Sequence, residues 1–262
     1  MAQLFTLSQR LCPPVVLRIL SAAALILSLM AGTVAAQDLN RGDVEKIVRD
    51  YLLENPEIIA EALNELQRRE QEAEEAARLQ VLSDSADILF NSTRQVVLGN
   101  PEGSVTIVEF FDYNCGYCKR AYGDMVRLID ENPDLKVVLK EFPVLGQGSI
   151  EAAQVAVAVN SVAPEKYGDF HEALLLSRGQ ANLSSAMAAA TGAGVSEADL
   201  QAAMATDEAG QTIEEVYALA NRLGLTGTPS YVVGNEVVMG AVGYDQLTAK
   251  LSALKNCGEA TC

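Results

Sequence analysis

The stretch Ser104-Val105-Thr106-Ile107-Val108-Glu109-Phe110-Phe111-Asp112-Tyr113-Asn114-Cys115-Gly116-Tyr117-Cys118 decides the fold. Residues 104–111 are apolar on both faces except at Thr106 and Glu109, which predicts a strand in a sheet covered on both sides. Directly after it, Cys118, Ala121, Tyr122, Met125 and Ile129 recur at helical spacing, and Pro133 closes the helix. The two cysteines therefore lie where a buried strand turns into a helix. Two intervening residues let their sulfurs meet across one helical turn. The helix N-terminus offers unpaired N–H groups and the positive dipole end, both of which stabilise a thiolate. Cys115 stands at the tip, able to attack a disulfide, and Cys118 one turn inward, able to resolve the mixed disulfide.

Working outward, Gln95–Leu98 and Lys136–Phe142 read as further strands. Residues 149–223 read as helical, punctuated by Pro164, Gly179 and Gly192-Ala193-Gly194. Tyr231–Val233 and Val237–Met239 flank Gly234-Asn235-Glu236 as a hairpin. Tyr244, Leu247, Leu251 and Leu254 share one face of a last helix. The expected order is strand, strand, helix, strand, helical block, hairpin, helix, an α/β arrangement.

A bare Cys-x-x-Cys could also be a plain structural disulfide or half of a zinc site. Zinc needs two more ligands, and the chain has one histidine, His171, and no second close Cys-x-x-Cys. Redox chemistry is the reading favoured, with no metal and no cofactor. Glu109 fits it. A carboxyl buried among Val105, Ile107, Val108, Phe110 and Phe111 has its pKa raised, and could accept or donate the proton of Cys118. The alternative is an outward-facing acid paired with Lys140 on the next strand. In Gly227-Thr228-Pro229-Ser230, a cis peptide at Thr228–Pro229 would bring a backbone edge to the cysteines, where an extended substrate could pair.

Residues 38–90 read as a charged helical extension. Val44, Ile47, Val48, Tyr51 and Leu52 form one stripe; Asn55 is read as capping a second helix with Pro56 at its start, and Ile58, Ile59, Ala62, Leu63 and Leu66 continue the stripe. The extension cannot bury this stripe alone, so it is expected to pack on the main domain or on another copy, with a charged linker helix as the alternative. Ahead of it, Arg10 and Arg18, the apolar run Ile19–Met30 and Val34-Ala35-Ala36 have the layout of a secretory signal peptide, cleaved near Ala36; a retained anchor is the alternative, although the run is short for a span. Cleavage removes two arginines and no acid, taking the formal charge from −16 to −18. So acidic a chain is not expected to bind nucleic acid. Export also places Cys115, Cys118, Cys257 and Cys262 where disulfides persist. A small local disulfide is the leading reading of Cys257 and Cys262, with free thiols or a weak metal site as alternatives. His171 is read as a structural histidine. Asp112, Lys119 and Arg120 either tune the cysteines or form solvated surface.

Phe110 to Lys119, with Thr228-Pro229 over a hundred residues later, resembles the DsbA-type family of thiol–disulfide oxidoreductases over about residues 95–256. The resemblance implies a thioredoxin fold interrupted by a helical insert, with Cys115 as nucleophile, Cys118 as resolving cysteine, Pro229 as the cis-proline and Glu109 as the buried acid. Asp50-Tyr51-Leu52-Leu53-Glu54-Asn55-Pro56-Glu57-Ile58 is similar to the leader of the ScsC-like branch, a region that oligomerises some members. The expected organisation is a signal peptide at 1–36, an N-terminal extension and oligomerisation region at 37–90, and the main domain at 91–262 with its insert at about 149–223. One departure matters: the principal oxidase of the family has proline and histidine between its cysteines, where this chain has Gly116 and Tyr117. The missing histidine implies a less stabilised thiolate and a less oxidising disulfide. Cys-Gly-Tyr-Cys with a Thr-Pro loop is also similar to DsbC-type isomerases. The expectation is a periplasmic isomerase or reductase acting on exported proteins with cysteines, served by a membrane redox partner. A dithiol oxidase and a copper carrier holding Cu(I) on Cys115 and Cys118 are the alternatives.

Overall fold

A computed structural model describes residues 40–262; the signal-peptide reading lies outside the described residues. The chain divides into two compact units at Leu66/Gln67.

In the first unit, α1 (Arg41–Glu54) begins at Asn40, whose side chain accepts the Asp43 N–H, and α2 (Glu57–Asp84) follows and continues past the division. No residue of α1 is buried, and Val44, Ile47, Val48, Tyr51, Ile59, Leu63 and Leu66 are exposed. Asn55 serves a different helix from the one expected. Its Nδ2 donates to Tyr51 O at 2.9 Å, closing the C-terminus of α1. The carbonyls left unpaired at a helix end lie one turn back from Asn55 and draw its amide.

The second unit is built on a five-stranded sheet ordered β1-β3-β2-β4-β5. The strands are β1 (Val96–Gly99), β2 (Val105–Phe111), β3 (Leu135–Glu141), β4 (Ser230–Val233) and β5 (Glu236–Met239). β2 and β3 are parallel, joined by α4 (Gly116–Glu131); the other pairings are antiparallel. Gly234, at φ 57°, opens the two-residue turn between β4 and β5, where positive φ excludes most side chains.

Both faces of the sheet are covered, as the apolar texture of β2 requires. Ile107, Phe111, Val137, Leu139, Tyr231 and Val233 face one core, with α4, α10 (Tyr244–Cys257) and the helices α5 (Gln147–Val162), α6 (Tyr167–Leu175), α7 (Leu183–Gly192) and α8 (Glu197–Met204). Val108, Phe110, Val138 and Val232 face the other, with Leu82 of α2, Leu89 of α3 (Ala86–Asn91) and Val216, Leu219 and Ala220 of α9 (Glu208–Arg222). The helical block at 149–223 is thus two structures. α5 to α8 cover one face, while α9 returns to the opposite one. Alanine-rich helices hide this difference, because no polar face marks which side of the sheet each meets.

Strand register also separates Glu109 from Lys140. Glu109 lies opposite Leu139 and Tyr231, whereas Lys140 lies opposite Phe110, so the two side chains point to opposite faces. Lys140 Nζ instead donates to Ile88 O at 2.6 Å and Gln95 Oε1 at 3.0 Å. Burial lowers its pKa to about 8. The outward Glu109–Lys140 ion pair is therefore excluded.

Candidate active site

Cys115 is the N-cap of α4, extended at φ −77° and ψ 113°, and Cys118 falls in the first turn. The strand end and helix start force this placement: the Cys115 N–H donates to Asp112 O at 3.0 Å, closing a tight turn. Both cysteines are free thiols and both are buried. The Thr228–Pro229 peptide is cis. Across the interval of 113 residues, the Cys115 thiol donates to Thr228 O at 3.1 Å. Pro229 O accepts the Gly240 N–H at 2.9 Å, and Ser230 Oγ donates to Gly227 O at 2.7 Å, so the segment is tied down from the residue that follows β5 as well as from its own turn.

Glu109, buried on the α4 side of the sheet, lies within electrostatic reach of Cys118. Burial pushes its carboxyl up to about 8, against a hydrogen bond from the Tyr231 hydroxyl. Burial, and then the Glu109 charge, push the Cys118 thiol far above its ordinary value. Two sites that each disfavour a negative charge therefore share one proton problem: neither ionises easily, and ionising one makes the other harder. The structure brings together Cys115, Cys118, Glu109, Thr228 and Pro229, and adds Tyr231. The sequence offered no signal for Tyr231 beyond a strand residue, because its partner Glu109 is fixed only by β2–β4 pairing.

The residues of uncertain meaning separate clearly. Asp112 is buried, Lys119 Nζ donates to Ser177 O at 3.1 Å, and the Arg120 guanidinium lies 4.3 Å over the ring of Tyr117. His171 is a buried core histidine. Its Nδ1 pairs with Tyr113 OH at 3.1 Å, its ring stacks on Tyr167, and burial lowers its pKa to about 3. Glu141 completes that cluster, accepting from Tyr167 OH at 2.6 Å; burial raises it to about 8. Cys257 and Cys262 form a disulfide, as expected. Among the described residues, no group of three or more His, Cys, Asp and Glu is placed to hold a metal ion, and no helix is long and apolar enough to cross a membrane.

Comparison with known proteins agrees with this geometry. Residues 106–252 match the DSBA-like thioredoxin domain, and residues 41–73 match the copper resistance protein ScsC N-terminal domain. A thioredoxin-like oxidoreductase from Silicibacter pomeroyi DSS-3 is 42% identical, with TM-score 0.62, over 65% of this chain and 98% of its own. Proteus mirabilis ScsC in a transitional conformation is 31% identical, with TM-score 0.61, over 80% of this chain and 94% of its own. Disulfide bond formation protein D of Bacillus subtilis (strain 168) is 26% identical over 164 residues, 58% of this chain and 73% of that protein. A thiol pair at a helix N-terminus, its first sulfur set against the carbonyl that precedes a cis-proline, together with a match over more than half the chain, places this protein in the DSBA-like thioredoxin-domain family, as a thiol–disulfide oxidoreductase of the DsbA/ScsC kind.

Proposed function

We propose that this protein is a periplasmic disulfide isomerase or reductase in which Cys115 is the nucleophile, Cys118 resolves, Glu109 handles the proton of Cys118, and Thr228–Pro229 receives the substrate backbone. The observation that carries this reading is the 3.1 Å approach of Cys115 Sγ to Thr228 O. A substrate strand laid against that loop would bring its sulfur to Cys115.

The Cys115 thiolate attacks a substrate disulfide, forming one S–S bond and breaking another; the departing substrate thiolate takes up a proton. Cys118 then gives its proton to ionised Glu109 and attacks Cys115 Sγ, releasing the second substrate thiol, or a substrate thiol displaces Cys115 to complete an isomerisation. In the reverse direction, protonated Glu109 returns the proton to Cys118 as it leaves. A carboxyl held near 8 serves both directions at neutral pH. The isomerase direction is supported by Gly116 and Tyr117, which give no imidazole to favour the reduced form, and by the N-terminal unit. Its exposed Val44, Ile47, Val48, Tyr51, Leu63 and Leu66 are suited to joining copies of the chain. The likeness to disulfide bond formation protein D favours the second reading, a dithiol oxidase. Exported proteins with cysteines are the substrates, and a membrane redox partner resets the pair.

The test is reactivation of a scrambled-disulfide substrate in glutathione buffer, with Cys115→Ser as control. Reactivation that depends on Cys115 supports the isomerase. Fast oxidation of a reduced substrate without reactivation replaces it with the oxidase.

A further inference from the structure

We propose that Asn114 is a positioning residue that joins the turn of Cys115 to two neighbouring segments, 143–146 and 176–182, so that the three act as one peptide-binding surface. This rests on the reading of Cys115 as nucleophile.

Asn114 immediately precedes Cys115, and its side chain acts like a piece of backbone. Its Oδ1 accepts the Ala181 N–H at 2.7 Å and its Nδ2 donates to Ala181 O at 3.0 Å, pairing both groups of one residue. The same Nδ2 donates to Ser149 Oγ at 2.9 Å, and the Ser149 hydroxyl donates in turn to Asp112 Oδ1 at 2.7 Å. Asp112 Oδ1 also accepts the Asn114 N–H at 2.7 Å, and Oδ2 accepts the Leu145 N–H at 2.9 Å. One polar knot thus gathers the end of β2, the loop after β3, the start of α5 and the segment before α7. Asp112 and Ser149 are each 1% exposed, so water cannot replace a lost member. The backbones meet closely here as well: a Cβ on Gly148 would lie 2.5 Å from Ala181 O. Lys119, one residue past Cys118, ties the same segment from the other side through Ser177 O.

The segments held by the knot carry apolar side chains in solvent. Leu145 is 49% exposed and Leu176 50%, and Tyr117, between the cysteines, is 60% exposed. Large apolar groups left bare on segments tied to the turn of the nucleophile favour a partner that can cover them. The chemistry that fits is an extended peptide with apolar residues flanking its cysteine. A small disulfide is too short to use the flanks.

The experiment compares kcat/KM for a peptide disulfide with apolar flanks against oxidised glutathione, for the wild type and for Asn114→Ala, Ser149→Ala and Ser149→Thr. Thermal melts verify that each variant is folded. The expected result is a peptide-to-glutathione ratio that falls about tenfold or more in Asn114→Ala and Ser149→Ala, mainly through KM. Ser149→Thr, which keeps the hydroxyl, restores the ratio relative to Ser149→Ala. A parallel fall for both substrates, or an unchanged ratio in folded variants, overturns the proposal. Peptide exchange that survives Cys115→Ser overturns the nucleophile reading instead, which separates the two failures.

Discussion

Replacing Glu109 by glutamine should make stability of the reduced protein less sensitive to pH, in a direction fixed by burial. Glu109 is buried, and its pKa rises from 4.5 to about 8. An acid with a raised folded-state pKa keeps its proton where the unfolded chain has already lost it. The folded state is therefore unpenalised below pH about 4.5, loses stability as pH climbs towards about 8, and loses no more above that. Integrated, the penalty is ~1 kcal/mol at pH 5, ~3 kcal/mol at pH 7 and ~5 kcal/mol at pH 8.5. Glutamine does not titrate. It keeps an acceptor for Tyr231 but brings donors to satisfy, a constant offset of ~1–2 kcal/mol. The informative quantity is therefore the slope: variant minus wild type should grow by ~4 kcal/mol between pH 5 and pH 8.5. Glu141, the other buried acid raised to about 8, is present in both proteins and cancels. Urea denaturation with both thiols reduced, at those three pH values, measures the difference directly. A difference flat in pH would refute the argument, since it would mean that Glu109 ionises without cost in the folded protein.

Three further outcomes are expected. Cys118→Ser should accumulate a mixed disulfide between Cys115 and a substrate peptide, visible by mass spectrometry, whereas Cys115→Ser should not; Glu109→Gln should slow resolution of that species by ~10²-fold or more. His171, whose pKa is lowered to about 3, favours the folded state in its neutral form, so that its contribution is full above pH about 6.5 and is lost as pH falls towards 3. His171→Gln should remove ~3 kcal/mol of acid sensitivity between pH 7 and pH 4, read by denaturation at those two pH values. Opening the disulfide by Cys257→Ser with Cys262→Ser should cost ~2 kcal/mol, the loop-entropy value for so short a ring, and should leave peptide exchange unchanged; a matching loss of exchange would assign these cysteines to the chemistry.

Much of the fold was legible because its signals are local. The two-sided apolar run of β2, the helical spacing from Cys118 to Ile129 and the hairpin at Gly234-Asn235 each follow from neighbours in sequence. Asn55 closes α1 and not the following helix, a choice that its local sequence does not carry because asparagine can serve either a donor or an acceptor deficit. Which one it meets depends on the side chain's direction. The tie between Asn114 and Ala181 spans 67 residues, and that between Tyr231 and Glu109 spans the β2–β4 register, so neither leaves a local pattern.

The sequence by itself determined the thiol pair, its place at a strand–helix junction and the acidic, helix-led extension, because cysteine spacing, periodicity and charge are properties of short segments. Only the tertiary structure decided that Glu109 faces Cys118 rather than Lys140, that Thr228 O meets Cys115 Sγ, and that the helical block divides between two faces of the sheet. Those are matters of strand register and side-chain direction. A one-residue change of register would carry Glu109 to the opposite face, and nothing short of the assembled sheet fixes that choice.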